Sequence, residues 1–104
     1  MAYTIEPINI LLLPESKAWV AQCLEFNVAA RGESPEDAQD SLFQVLIAQI
    51  SLDLFRRRRP FQENRPAPEW YQQAFKSAAH YPMFIPARLP EGFPFRVSEV
   101  RIHH

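Results

Sequence analysis

The sequence predicts an α+β fold of two layers, in the order β-β-β-α-(α)-β, with an antiparallel sheet packed on one long helix. Two observations predict it. Three short apolar segments separated by turn residues lie before residue 34, a pattern typical of a strand meander. A capped helix start follows at Ser34-Pro35-Glu36-Asp37, and a long apolar run with helical spacing continues from it. The stretch 17–55 is therefore the predicted centre of the domain.

Length and composition indicate one domain over residues 1–104. The chain is 47% hydrophobic and 22% charged, an ordinary globular composition. We expect a core over residues 3–58 and a proline-rich extension over 60–104. The formal net charge of -1 argues against a surface built throughout to neutralise phosphates. A chain of this length folds with little surplus of buried surface, so a homodimer or higher homo-oligomer is expected.

The three predicted strands run over residues 8–13, 18–23 and 28–30. Residues 14–17 and 25–27 carry turn residues, so short hairpins are the simplest connections between these strands. A further turn is predicted at 31–33. Strands joined by short hairpins form an antiparallel meander.

The long helix is predicted from Pro35 to about Arg57. The Ser34 hydroxyl can accept from the free amides of the first turn, and Asp37 completes a pair resembling a capping box. Proline suits the first helical position. Pro60 prevents the helix from continuing.

The helix carries two apolar stripes, which together are wider than packing on one sheet requires. The first contains Ala38, Leu42, Val45 and Leu52. We expect one stripe to cover the strands and the other to associate with a partner. The predicted association surface is the second stripe, which consists of Phe43, Leu46, Ile47, Ile50 and Leu54.

The chain changes character after the helix, because seven of its ten prolines lie from Pro60 onward. A short helix is predicted over 68–79, and its helical spacing gives one aromatic-rich stripe of Trp70, Tyr71, Ala74, Phe75 and Ala78. Packing against the long helix or the sheet edge is favoured for this stripe over a stacking site for bases or ligands. Residues 81–95 should be extended, and a last strand over 95–102 should return to the sheet.

No residue pattern predicts catalysis, a cofactor or a metal ion. The lone Cys23 lies in an apolar segment, where a buried thiol is expected to act as a small hydrophobe. Three histidines without a cysteine cluster or a helical pair do not form a typical metal site. With only Gly32 and Gly92, no glycine-rich phosphate loop exists. The expectation is a protein that is not an enzyme.

Four consecutive arginines, Arg56, Arg57, Arg58 and Arg59, follow the predicted helix. They can be a solvated helix end whose charges complement the helix dipole. They can also contact the phosphates of RNA or DNA, together with Arg65, Arg88 or Arg101. The first interpretation is favoured, because the rest of the chain shows no excess of basic residues.

The apolar segment 8–13 is too short for a signal peptide or a membrane span. We therefore expect a cytoplasmic protein without a membrane partner.

The segment centred on the helix start resembles the HicB-like antitoxin domain. The resemblance covers residues 3 to about 55 and rests on the strand 19–25, on Val28, on the motif 31–38 and on Leu42. It implies a β-β-β-α-β fold akin to a truncated ribonuclease H layer. In that family the domain dimerises and binds a small HicA-type mRNA-cleaving toxin, whose active site it masks.

The chain departs from that family in its second half. Family members append a helix-turn-helix or ribbon-helix-helix that binds DNA, but the tail from Phe61 contains too many prolines for either. The Pro-Gly-Cys-like turn that is usual in the family is also replaced, because residues 23–27 here read Cys-Leu-Glu-Phe-Asn. The expected function is a non-catalytic binding module that oligomerises and sequesters a small HicA-like toxin, or that stands alone as an orphan relative. The alternative is an RNA-binding module that uses Arg56–Arg59.

Overall fold

The computed structural model describes residues 7–83 and 96–103. The helices and strands, in chain order, are β1 (Ile8–Glu15), β2 (Ala18–Cys23), β3 (Val28–Gly32), α1 (Pro35–Phe55), α2 (Glu69–Ser77), β4 (Ala79–His80) and β5 (Val97–Ile102). The five strands form one sheet in the order β3-β2-β1-β5-β4. The predicted α+β class and the order β-β-β-α-(α)-β are confirmed. Predictions for residues 3–6 and 84–95, which include Arg88, Gly92 and the start of the last strand at Phe95, lie outside the described residues.

The sheet is mixed and not wholly antiparallel. β1, β2 and β3 form the predicted antiparallel meander, but β5 lies parallel to β1. The chain reaches β5 through both helices, and a crossover connection of this kind allows the returning strand to run parallel. The two-residue strand β4, which the sequence did not predict, pairs antiparallel with β5 and forms the outer edge.

The predicted hairpin turns are present, but the third turn begins later than expected. Ser16 and Asn27 adopt left-handed conformations with φ of 52° and 53°, as tight turns require. Gly32 does not turn the chain, because it pairs with Trp19 as the last residue of β3. The bend into the helix lies at Glu33 and Ser34.

One face of the sheet packs on α1 and forms the main core. Side chains alternate between the two faces of a strand, so Ile8, Ile10 and Leu12 of β1 point towards the helix. The helix lies over β2 and β3. The fully or nearly fully buried members of this core are Ile8, Ile10, Leu12, Ala21, Cys23, Ala38, Leu42, Phe43, Leu46, Ile50, Phe61, Val100 and Ile102.

The short helix α2 lies on the opposite face of the sheet. This position corrects the expected two-layer architecture and the expected packing of α2 on the long helix or the sheet edge. Leu11 of β1 and Leu24 are buried there with Ala67. The side chains of α2 and its end that pack on them are Tyr71, Ala74, Phe75 and Ala78. The stripe is therefore a packing face, as predicted, but against the sheet face and not the long helix or the sheet edge. Trp70 is the exception, because it is 57% exposed and does not belong to this cluster. Because β1 is apolar on both faces, its second face also needs a cover. The helix α2 supplies this cover and forms an incomplete third layer.

The start of α1 is capped as predicted. The Ser34 Oγ accepts from the Asp37 amide at 3.0 Å, and Asp37 Oδ2 accepts from the Glu33 amide at 2.9 Å. Two amides without helical partners are thereby satisfied. The helix ends at Phe55, slightly before the expected Arg57, because Arg57 adopts a left-handed conformation with φ of 57°.

Gly32 allows β3 and α1 to approach each other closely. A Cβ atom built on Gly32 would lie 2.3 Å from the Ala38 nitrogen and 2.5 Å from the Asp37 carbonyl carbon. Both are backbone atoms, so no flexible side chain can move aside. This contact fixes the distance between the edge of the sheet and the start of the helix.

Gly32→Ala should lower the free energy of unfolding by about 1–3 kcal/mol, the usual range for an overpacked site. The measurement is urea denaturation followed by tryptophan fluorescence. Ala29→Ser, an exposed position on the same strand, should leave stability unchanged. Equal stability of Gly32→Ala and the parent chain would show that the helix can shift away from β3 at no cost.

A clasp formed by Tyr81 and Glu36 joins the segment after β4 to the start of α1. The Tyr81 amide donates to the Val100 carbonyl at 3.0 Å, and the Tyr81 hydroxyl donates to the Glu36 carboxylate. This hydrogen bond lowers the pKa of Glu36 and raises the pKa of Tyr81. Gln39 Nε2 reaches the Pro82 carbonyl at 3.4 Å beside it.

The clasp should make stability depend on pH in two windows. The lowered pKa of Glu36 gives stabilisation that is present above its ordinary value of 4.5 and is lost as the pH falls through the folded value. The raised pKa of Tyr81 gives stabilisation that is present below its ordinary value of 10.0 and is lost as the pH rises through the folded value. The free energy of unfolding, measured by chemical denaturation, should differ most between the parent chain and Tyr81→Phe at pH values between these two windows.

Glu33→Gln provides the matched control, since Glu33 is an exposed carboxylate before the same helix. Its stability should follow the parent across the pH range. If the free energies of unfolding of Tyr81→Phe and the parent differed by the same amount at every pH, the clasp would not be the source of the pH dependence.

Candidate functional site

The predicted association surface is wrong for three of its five residues. Phe43, Leu46 and Ile50 are buried in the core with exposures of 1%, 0% and 7%. They face the sheet and are the stripe that covers the strands. Ile47 is partly buried, and Leu54 at 44% exposure lies beyond the covered part of the helix.

The apolar surface that α1 leaves exposed lies on its outer side. Val45, Leu52 and Phe55 are exposed by 39%, 46% and 86%, and Ala48 is exposed between them. Their spacing of three, four and three residues places these four side chains along one side of a helix. We call Val45, Ala48, Leu52 and Phe55 the outer stripe. Val45 and Leu52 belong to the first stripe of the sequence, whose other two members, Ala38 and Leu42, are buried.

The two ends of α1 carry opposite charges. Glu33, Glu36, Asp37 and Asp40 form an acidic end at the start of the helix, and Arg56, Arg57 and Arg59 form a basic end just after it. Arg58 belongs to the same run, but its guanidinium lies 3.1 Å from the Glu63 carboxylate. Among the described residues, the other three arginines have no acidic side chain in ion-pair distance. The outer stripe thus runs from a negative to a positive surface.

A second polar cluster lies at the β4–β5 edge and was not predicted. His80 Nδ1 lies 2.8 Å from Glu99 Oε1, and Arg101 Nε lies 3.1 Å from the same oxygen. Arg101 Nη1 also donates to the Phe75 and Lys76 carbonyls, and its guanidinium lies 4.8 Å from the Phe75 ring centroid. The cluster fastens the end of α2 to the sheet. Only the β4–β5 register brings these residues together, so their spacing in the sequence gives no signal.

This placement separates Arg101 from the basic end. Arg101 is packed under α2 on the sheet face opposite to α1, whereas Arg56, Arg57 and Arg59 follow α1. The structure therefore does not join Arg101 to the arginine run. Arg65 is exposed in the connection between the two helices.

The Cys23 thiol is buried, as predicted. Its exposure is 0%, and burial raises the pKa of the thiol to about 11, while a backbone hydrogen bond near Phe26 partly opposes the rise. The thiolate is the reactive form of cysteine. At neutral pH the Cys23 side chain is protonated and serves as a core residue.

Within residues 7–83 and 96–103, no three His, Cys, Asp or Glu side chains form a group that could hold a metal ion. No helix in those ranges is long and apolar enough to cross a membrane. No family model, curated protein or solved structure matches the chain. The resemblance to the HicB-like domain therefore stays a prediction from the sequence motif of β2 and the α1 start.

The two stripes of α1 should respond differently to substitution. Leu46→Ala should lower the free energy of unfolding by about 2–5 kcal/mol, because it opens a cavity in the core. Leu52→Ser should change it by no more than about 0.5 kcal/mol, as is usual at surface sites. Both are measured by chemical denaturation at low protein concentration, so that association does not contribute. A large loss in Leu52→Ser would place the outer stripe inside the folded subunit.

Proposed function

We propose that this chain is a non-catalytic HicB-like binding module, which forms a homodimer or higher homo-oligomer and sequesters a small HicA-like toxin. The observation that carries the proposal is the outer stripe. It is an exposed apolar surface on a helix whose other side already fills the core. The order of strands and helices, with a capped α1 after an antiparallel meander, agrees with the fold that the HicB-like motif implies.

Sequestration needs a surface and no reacting group. Burying a large apolar side chain contributes roughly 1.5–3 kcal/mol, and binding begins only after the loss of translational and rotational freedom is offset. Within the outer stripe, Leu52 and Phe55 are the largest side chains that can supply this contribution. A module of this kind would act in the cytoplasm, where the mRNA substrate of such a toxin is found.

Light scattering after size-exclusion chromatography tests the self-association. At micromolar concentration we expect twice the subunit mass or more, and Leu52→Ser combined with Phe55→Ser should lower it to that of one subunit. Lys17→Ser, in the exposed β1–β2 turn, is the control that should leave the mass unchanged. A monomeric parent chain at micromolar concentration would contradict the proposal.

The toxin part is tested separately by co-expression with a small toxin-like reading frame next to the gene. The expected result is restored growth and a co-purified complex. Growth arrest that the chain does not relieve, although both proteins are present, would remove the antitoxin role but not the self-association.

RNA binding is the second candidate, and one observation favours it. Arg56, Arg57 and Arg59 lie beside Phe55, which is 86% exposed. Cationic side chains with an exposed aromatic ring are typical of surfaces that bind single-stranded nucleic acid. If this is the function, binding should weaken steeply with salt, and replacing Arg56–Arg59 with serine should abolish it. No binding at low salt would exclude it.

A further inference from the structure

We propose that two copies of this chain pair their α1 helices in antiparallel orientation through the outer stripe. The proposal rests on the self-association proposed above and gives it a surface, an orientation and a register. Its starting point is the order of side chains and charges along one exposed side of α1.

The stripe has the spacing of a helix-pairing seam. Val45, Ala48, Leu52 and Phe55 are separated by three, four and three residues, which is the a/d repeat of helices that pack at a small crossing angle. In an antiparallel pair, Val45 lies against Phe55 of the second copy, and Ala48 lies against Leu52 of the second copy. The two-fold symmetry of the pair repeats each of these contacts once, so that all four residues of both copies take part. Each contact joins a smaller side chain to a larger one. Such alternation allows interdigitated packing.

Charge decides between the two orientations. In this register Asp40 of each helix lies about four residues, or roughly 6 Å along the axis, from Arg56 of the other copy. Antiparallel pairing thus turns the acidic end of each helix towards the basic end of the other. Parallel pairing would bring like charges together at both ends and align the two helix dipoles unfavourably. Opposite charges at the rim of an interface fix its register more than they increase its affinity.

The free edge of β3 is the main competing surface. Among the strands of the described residues, β3 pairs with β2 alone, so its outer backbone groups are open to pairing with another strand. However, it has only five residues and carries Arg31, and short charged edges are poor templates for strand pairing. The outer stripe exposes far more apolar side chain, and we therefore place the second copy there.

Crosslinking of single-cysteine additions tests the register. Val45→Cys and Phe55→Cys are prepared separately in the full chain, and one of the two carries a mass tag. Each change is at an exposed position and should leave the subunit folded, which circular dichroism confirms. Native Cys23 is silent in this experiment because its thiol is buried and protonated.

A short bismaleimide should link a mixture of the two variants several-fold more than either variant alone. In the antiparallel pair, positions 45 and 55 of different copies are adjacent, whereas two copies of position 45 are separated by roughly 15 Å along the axis, from ten residues at 1.5 Å rise. Lys17→Cys, which is exposed in the β1–β2 turn and lies outside the outer stripe, is the control for random collisions.

Each result has a distinct meaning when light scattering is measured on the same samples. A dimer in which each variant crosslinks mainly with itself would overturn the antiparallel orientation. A dimer without crosslinks above the Lys17→Cys level would overturn the α1 interface and leave another surface, such as the β3 edge, while the proposed self-association would stand. A parent chain that is monomeric at the same concentration would overturn both.

Discussion

The apolar character of β1 on both of its faces is the constraint on which the rest of this fold depends. Ile8, Ile10 and Leu12 point to one side, and Leu11 and Leu13 to the other. A strand of this kind must lie inside a sheet and be covered from both sides. The structure meets this need with β2 and β5 as neighbours, with α1 on one face and with α2 on the other.

The position of α1 then determines which surface is available for binding. Its inner side fills the space over β2 and β3, and Gly32 brings it so close to the sheet that no side chain fits between them there. Its outer side is left to solvent although it carries Leu52 and Phe55. Both the proposed partner binding and the proposed helix pairing follow from this division of one helix between core and surface.

Local patterns in the sequence predicted the elements better than their arrangement. The bounds of β2 and the Ser34 cap could be predicted because turn and capping residues act within a few positions. The face on which α2 packs and the direction of β5 depend on contacts between distant segments, for which the sequence contains no local signal. Helical spacing likewise predicted that α1 carries two apolar stripes, but it did not indicate which of the two stripes faces the sheet. Of the five residues predicted for association, Phe43, Leu46 and Ile50 are therefore in the core, whereas Phe55, which was not among them, is exposed.

The parallel pairing of β5 with β1 also has a consequence for how the protein is made. β1 is synthesised before every other element of the sheet, but the strand that covers its second edge follows only after both helices and β4. Until then the growing chain exposes an unpaired edge next to an apolar strand, a condition that favours aggregation. Contacts between distant segments also form slowly, so the pairing of β5 with β1 is expected to be a late step of folding. The time needed for synthesis thus sets a lower limit on how soon a new copy can become a binding partner.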